Sequence, residues 1–277
     1  PLDINPAHSI LILSAVGWTH GPESDALPEA VRVTLWIVAA LTMTFGNVLA
    51  LLQKNIKRVL AYSSVAHSGY MLVGVIAGPG DGETIASSGL GAVLFYLLCY
   101  GFMNLGAFAV LACLERGSGD EVETFEDVRG LCATKPVMGW VMVLCSASLL
   151  GLPPLLGFWG KLYLFTAGIS AGEFALVAIL GLNSAIAAFY YLKLIAGPLL
   201  EAPGEGVEGL RDSVFVGRTI AATLSAVSVV ALVPFVNVLT DAAHNASSPA
   251  EASVPSTDEP AAAMVNEDQG EPVALED

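Results

Sequence analysis

The sequence predicts an all-α integral membrane protein with about six transmembrane helices, one of them broken at Pro153-Pro154. Three observations carry this. Only 13% of the 277 residues are charged while 55% are hydrophobic, where a soluble domain averages about 25% charged. The apolar residues gather into runs of about 20, the length that crosses hydrocarbon as a helix. Nine of the eleven Lys and Arg residues fall in or beside alternate loops, the asymmetry that orients membrane proteins.

Residues 1–30 hold an apolar segment, SILILSAVGW at 9–18, that is too short to span, followed by a turn with Gly21, Pro22 and Pro28. The chain opens on Pro1 without a basic stretch, apolar core and cleavage site, as expected of a longer protein cut or split upstream. Residues 31–240 form the membrane module, with candidate spans at about 31–53, 58–78, 87–114, 136–167, 174–196 and 217–239. Each is a helix, because backbone amides in lipid must be satisfied within the segment or in a closed barrel, and no short alternating strands are present. From Asp241 the chain holds nine acidic residues, no Lys or Arg, and much Ala, Pro and Ser. A disordered acidic tail is expected over 241–277.

The basic residues set the topology. Lys54, Lys57 and Arg58 flank the first loop, Arg116, Arg129 and Lys135 the third, and Lys193, Arg211 and Arg218 the fifth. Arg32 lies on the other side and Lys161 inside a span. The odd loops are therefore expected in the cytoplasm or its equivalent, and the tail outside. In the third loop, Thr124-Phe-Glu-Asp127 reads as a helix cap before a short surface helix ending near Gly130.

Several chemistries are excluded. Cys99, Cys113, Cys132 and Cys145 form no C-x-x-C pair and have no metal or iron–sulfur spacing; three sit within apolar runs, where a thiol packs as a small hydrophobe. No metal site and no cofactor are expected on this chain. Nine of the acids behind the net charge of −15 lie in the tail, and that acidic tail and the lack of a basic cluster argue against nucleic acid.

Polar groups inside spans are costly and tend to face the bundle interior. The second span opens with Lys57 and Arg58, and carries Ser63, Ser64, His67 and Tyr70 at helical spacing, a polar stripe from the loop towards mid-membrane. The stripe suits either a proton path or hydrogen bonding between packed helices. In the fourth span, Pro153-Pro154 must break the helix, and Lys161 follows two turns later. Broken membrane helices commonly present half-helix ends to an ion path. Lys161 is therefore read as facing an internal cavity rather than snorkelling, with Gly157 and Gly160 leaving room for water. Asn104 in the third span suits helix-to-helix bonding as well as a path, and Lys193 near the end of the fifth is read as snorkelling.

Taken together, Lys57-Arg58-x-x-Ala61-Tyr62-Ser63-Ser64-x-x-His67-x-Gly69-Tyr70 and Gly151-x-Pro153-Pro154-x-x-Gly157-Phe158-x-Gly160-Lys161 resemble the antiporter-like subunits of proton-pumping NADH:quinone oxidoreductase, respiratory complex I. Asn55-Ile56-Lys57-Arg58, Met103-Asn104-Leu-Gly106-Ala-Phe108, Asn183-Ser184 and Tyr190-Tyr191 resemble the N-type in particular, and Lys161 stands where the M-type usually has a glutamate. The likeness covers about residues 31–197. It implies a fold of two inverted five-helix repeats, of which this chain holds the second. His67 is then a central relay residue and Lys161 the terminal exchange residue, with Ser63, Ser64, Tyr70, Asn104 and Lys57 lining the path. The resemblance further implies other membrane subunits of the complex as partners, protons as the ion, and no NADH, flavin or quinone bound here. The family's first-repeat glutamate and lysines have no counterpart in these residues, and Pro1–Gly17 does not match the preceding family helix.

A multi-subunit cation/proton antiporter and a membrane-bound hydrogenase share these patterns and remain alternatives. So does a non-conducting structural subunit, in which Lys161 and His67 would tolerate apolar replacement. A free-standing solute transporter fits poorly, because no set of substrate-binding groups converges at the midplane.

Overall fold

The computed structural model describes residues 28–80, 84–116, 122–204, 207, 210–212 and 216–247. The apolar segment at 9–18, the loop acids Asp81 and Glu83, and residues 248–277 of the expected tail lie outside the described residues.

The first three spans are single helices: α1 (Glu29–Leu51), α2 (Ile56–Ala77) and α3 (Gly89–Cys113). Side-chain caps set two of their starts. Asn55 Oδ1 accepts the Arg58 amide at 3.1 Å, and Ser88 Oγ accepts that of Gly91 at 3.1 Å, each satisfying a first-turn donor that has no intrahelical partner. α1 packs chiefly on α2. A Cβ at Gly46 would lie 2.6 Å from the Ala66 amide nitrogen, and one at Gly69 2.8 Å from that of Met43. The two backbones meet because these side chains are absent.

The expected fourth span is two helices, α5 (Pro136–Leu150) and α6 (Leu156–Ser170), preceded by the short α4 (Leu131–Thr134). At 15 residues each, either half reaches only about 22 Å, short of the ~30 Å hydrocarbon core. The break falls on Gly151–Leu155, around the expected prolines, whose mutual peptide bond is cis. α7 (Phe174–Leu200) is continuous. The expected sixth span bends by 52° between α8 (Val216–Ala231) and the segment that leads into α9 (Val236–Ser247). Pro234 stands in the bend, where it cannot supply an amide to the helix ladder. α9 continues through Ser247, so the expectation of a tail from Asp241 is corrected: it is helical for that last stretch, packed on α3, with Ser247 Oγ 3.4 Å from Ser88 Oγ.

α3 is central, touching α2, α5, α6, α8 and α9. The outer faces are apolar: Phe45 is 59% exposed, Leu182 66% and Leu224 60%. Such surface has no aqueous reason to exist and suits acyl chains. Among the described residues four helices are each long and apolar enough to cross a membrane, and α8 with α9 is so only when the bent pair is taken as one span.

The odd-numbered loops interlock at one end. The Ile56 amide donates to the Glu123 carbonyl at 2.7 Å, and Asn55 pairs with Thr124. β1 (Leu114–Arg116) runs antiparallel to β2 (Leu210–Asp212), joining the third loop to the fifth. The expected cap at Thr124 holds a 3-10 turn, Phe125–Val128, with Asp127 accepting from the Thr124 amide at 2.8 Å. At the opposite end Arg32 Nη1 meets Glu173 Oε1 at 2.6 Å.

Candidate functional site

The polar side chains of α1, α2, α3 and α7 converge between the helices. His67 is completely buried. Its Nδ1 lies 2.5 Å from the Tyr96 hydroxyl and its Nε2 2.9 Å from that of Tyr191. A neutral imidazole has one N–H and one bare nitrogen, so one tyrosine donates to the ring and the other accepts from it. Tyr191 is also hydrogen-bonded to Ser63. Ser64 sits beside this line: it accepts from the Tyr100 hydroxyl at 2.6 Å, and the Tyr100 ring lies 4.9 Å from that of His67. The stripe expected on α2 is therefore enclosed by tyrosines from α3 and α7.

A second cluster centres on Asn47 of α1. Its Nδ2 donates to the Tyr70 hydroxyl at 2.9 Å and to the Met43 carbonyl at 2.9 Å, with Asn183 Oδ1 at 3.3 Å. Its Oδ1 accepts from the Tyr190 hydroxyl at 2.8 Å. Tyr70 links the two clusters, its ring set edge-on to His67 at 5.2 Å between centroids.

Lys161 is 7% exposed. The Pro153-Pro154 break explains its place. α5 ends at Gly151, whose φ of +93° reverses the chain with little steric cost because it has no Cβ. α6 then begins beside the C-terminal carbonyls of α5, which have no partner within that helix. Lys161 Nζ donates to the carbonyls of Leu149 at 2.9 Å and Leu150 at 3.0 Å, and lies 5.6 Å from the centre of the Tyr70 ring. An ammonium at the negative end of a helix is favourably placed. The other half is capped too, the Gly157 amide donating to Ser148 Oγ at 2.9 Å.

One expectation is corrected. Gly157 and Gly160 do not leave room for water: a Cβ at Gly157 would lie 2.0 Å from the Ser148 carbonyl oxygen, and one at Gly160 2.6 Å from the Tyr96 ring. Both allow close helix approach instead. Ser63, Ser64, His67, Tyr70 and Lys161 are brought together. Asn104 is half-buried and joins none of these hydrogen bonds, and Lys57 lies in the first turn of α2, roughly 15 Å along the axis from His67. Sequence reasoning missed Asn47. The signal was present, since a lone amide in an apolar run must find partners. Among the described residues no group of three or more His, Cys, Asp and Glu could hold a metal ion.

Comparison with known proteins agrees with this architecture. The chain is 43% identical over 173 residues to NADH-quinone oxidoreductase subunit N 2 of Roseiflexus castenholzii, covering 62% of this chain and 34% of that protein. It is 46% identical over 171 residues to subunit N of Trichlorobacter lovleyi, covering 62% and 33%. It thus spans about a third of the length of these relatives. A chain of respiratory complex I from Thermus thermophilus with bound aureothin superposes with a TM-score of 0.63 at 32% identity, over 76% of this chain and 45% of that one. A chain of the Mrp complex from Dietzia sp. gives 0.64 at 22% identity, over 78% and 46%, a likeness of fold alone. Residues 23–187, more than half of the chain, match the family described as NADH:quinone oxidoreductase/Mrp antiporter, TM, and this multi-pass membrane protein belongs to it.

Proposed function

We propose that this chain is part of a proton-translocating N-type subunit of NADH:quinone oxidoreductase, carrying protons through its buried His67 and Lys161 while quinone is reduced elsewhere in the complex. The observation that carries the reading is the lodging of Lys161 on the carbonyls of Leu149 and Leu150 at a broken helix, beside the tyrosine that adjoins His67. A structural residue at that place would be apolar, since a charge inside hydrocarbon costs about 2.5–3.5 kcal/mol on insertion scales. The identities to subunit N proteins favour the N-type over an Mrp-type antiporter, whose resemblance is confined to fold.

His67 supplies the relay chemistry. A proton taken up at one ring nitrogen and released from the other leaves the opposite tautomer, and the hydroxyls of Tyr96 and Tyr191 are placed to receive and return it. Ser63 extends the line by one hydroxyl. Lys161 holds a proton on two carbonyls and releases it when a neighbouring charge moves. The remaining features are part of the same proposal: the chain is the second of two inverted repeats, its partners are other membrane subunits, and it binds no NADH, flavin or quinone. It sits in a bacterial inner membrane, with the interlocked loops in the cytoplasm and the C-terminal end outside.

The test is a proton-pumping assay of the complex carrying full-length subunit with Lys161→Met. Quinone reduction with most of the proton gradient lost supports the reading. A normal gradient in the assembled variant overturns it and leaves a structural subunit.

A further inference from the structure

At the interlocked end, α7 and the third loop enclose a groove of about 410 Å³ lined by Glu126, Arg129, Phe189, Leu192, Lys193 and Glu201, among others. Its volume is in the range of small-molecule sites. Phe189, Leu192 and Lys193 lie at helical spacing on one exposed face of α7. From Phe189 downward that face is apolar, with Leu182 and Phe189 66% and 64% exposed. Along the axis Phe189 lies about 6 Å below Lys193 and Glu201 about 12 Å above it. The groove therefore spans the depth at which acyl chains give way to headgroups.

Its charges are arranged for a dipolar ligand. Arg129 is committed to two acids, Nη1 to Glu126 Oε2 at 2.6 Å and Nε to Glu201 Oε2 at 2.5 Å. Lys193 forms no hydrogen bond or ion pair among the described residues and is exposed, so a cation is unused at the apolar end. Each glutamate engages Arg129 through one oxygen and keeps the other. Two acids and two bases make the groove neutral overall, with an open cation below and open carboxylate oxygens above. We propose that it is a phospholipid site selective for a zwitterionic, amine-bearing headgroup, with the phosphate on Lys193, the primary ammonium on Glu126 and Glu201, and one acyl chain along Phe189. An anionic headgroup would bring no cation to the open oxygens of the two carboxylates, which share the single charge of Arg129. A trimethylated headgroup cannot donate hydrogen bonds to them. A soluble phosphate would make no use of the apolar wall.

The experiment uses the full-length protein in its complex, with a photoreactive benzophenone side chain at position 189, reconstituted into bilayers of equal parts phosphatidylethanolamine, phosphatidylcholine and phosphatidylglycerol. After irradiation, the mass of the adduct identifies the occupant. Phosphatidylethanolamine is expected as the main adduct, reduced about fivefold by Lys193→Glu, while Glu126→Gln combined with Glu201→Gln shifts the preference towards phosphatidylglycerol. Equal yields from the three lipids would reduce the groove to ordinary boundary lipid and overturn the site. A protein adduct as the main product would overturn it in favour of a neighbouring subunit. Lipid selectivity of the groove with its charged residues intact decides the matter even if a charge variant fails to assemble.

Discussion

Tyr190 donates its hydroxyl to Asn47 Oδ1 at 2.8 Å, and this bond ties α7 to α1 through side chains that are both buried. The same amide holds Tyr70 from the other side. Tyr70 adjoins both His67 and Lys161, so the position of that ring depends on a residue that touches neither.

Asn47→Leu removes every one of these bonds and leaves the Tyr70 and Tyr190 hydroxyls to find other partners. A buried polar group left unsatisfied costs about 1–3 kcal/mol. The expected result is a lower thermal unfolding midpoint of the purified complex and slowed proton transfer at unchanged quinone reduction. Unchanged midpoint and pumping would show that the amide is dispensable.

Lys161→Arg distinguishes charge from titration. The guanidinium keeps the positive charge but does not give up its proton. The complex is expected to assemble and reduce quinone, yet pump as poorly as with Lys161→Met. Full pumping by the arginine variant would mean that fixed charge alone suffices at this position.

Gly151→Ala and Gly172→Ala form a matched pair. Both glycines have positive φ, +93° and +77°, so alanine costs about 1–2 kcal/mol at either. A Cβ at Gly151 would in addition lie 3.3 Å from Lys161 Cδ, whereas Gly172 has open space. Similar losses of thermal stability are expected, with pumping impaired only by Gly151→Ala. Equal effects on pumping would separate the Lys161 pose from function.

Single cysteines at Glu126 and at Ser247, in a background without the four natural cysteines, test the topology. An impermeant thiol reagent applied to intact cells is expected to label the Ser247 site and not the Glu126 site. Labelling of both from one face would refute the proposed orientation.

The spans and the break were legible because each follows from a local rule: hydrocarbon length, and the proline that removes an amide. The partners of His67 were not. Tyr96 and Tyr100 share one face of α3 by their spacing, but which face of α3 meets α2 is decided by packing among five helices. The lodging of Lys161 was hidden for another reason. Its stem reaches about 6 Å, roughly one helical turn, in any of several directions, and only the placement of the start of α6 beside the end of α5 brings the Leu149 carbonyl to 2.9 Å. Gly157 and Gly160 misled because a missing side chain creates space without saying what fills it; here it is filled by Ser148 and Tyr96.

The way Lys161 is held has an electrical consequence. In an ion pair, removing the proton from a lysine strands an anion, and the pair resists discharge for that reason. Among the described residues no carboxylate pairs with Lys161; its counterweight is the two carbonyls of α5, which are dipoles and remain neutral whether or not the proton is there. Discharging the amine leaves no stranded charge in the membrane, and recharging it needs no second ion to arrive. The site resembles a socket more than a bond, because its occupied and vacant forms differ by one proton and by no other charge.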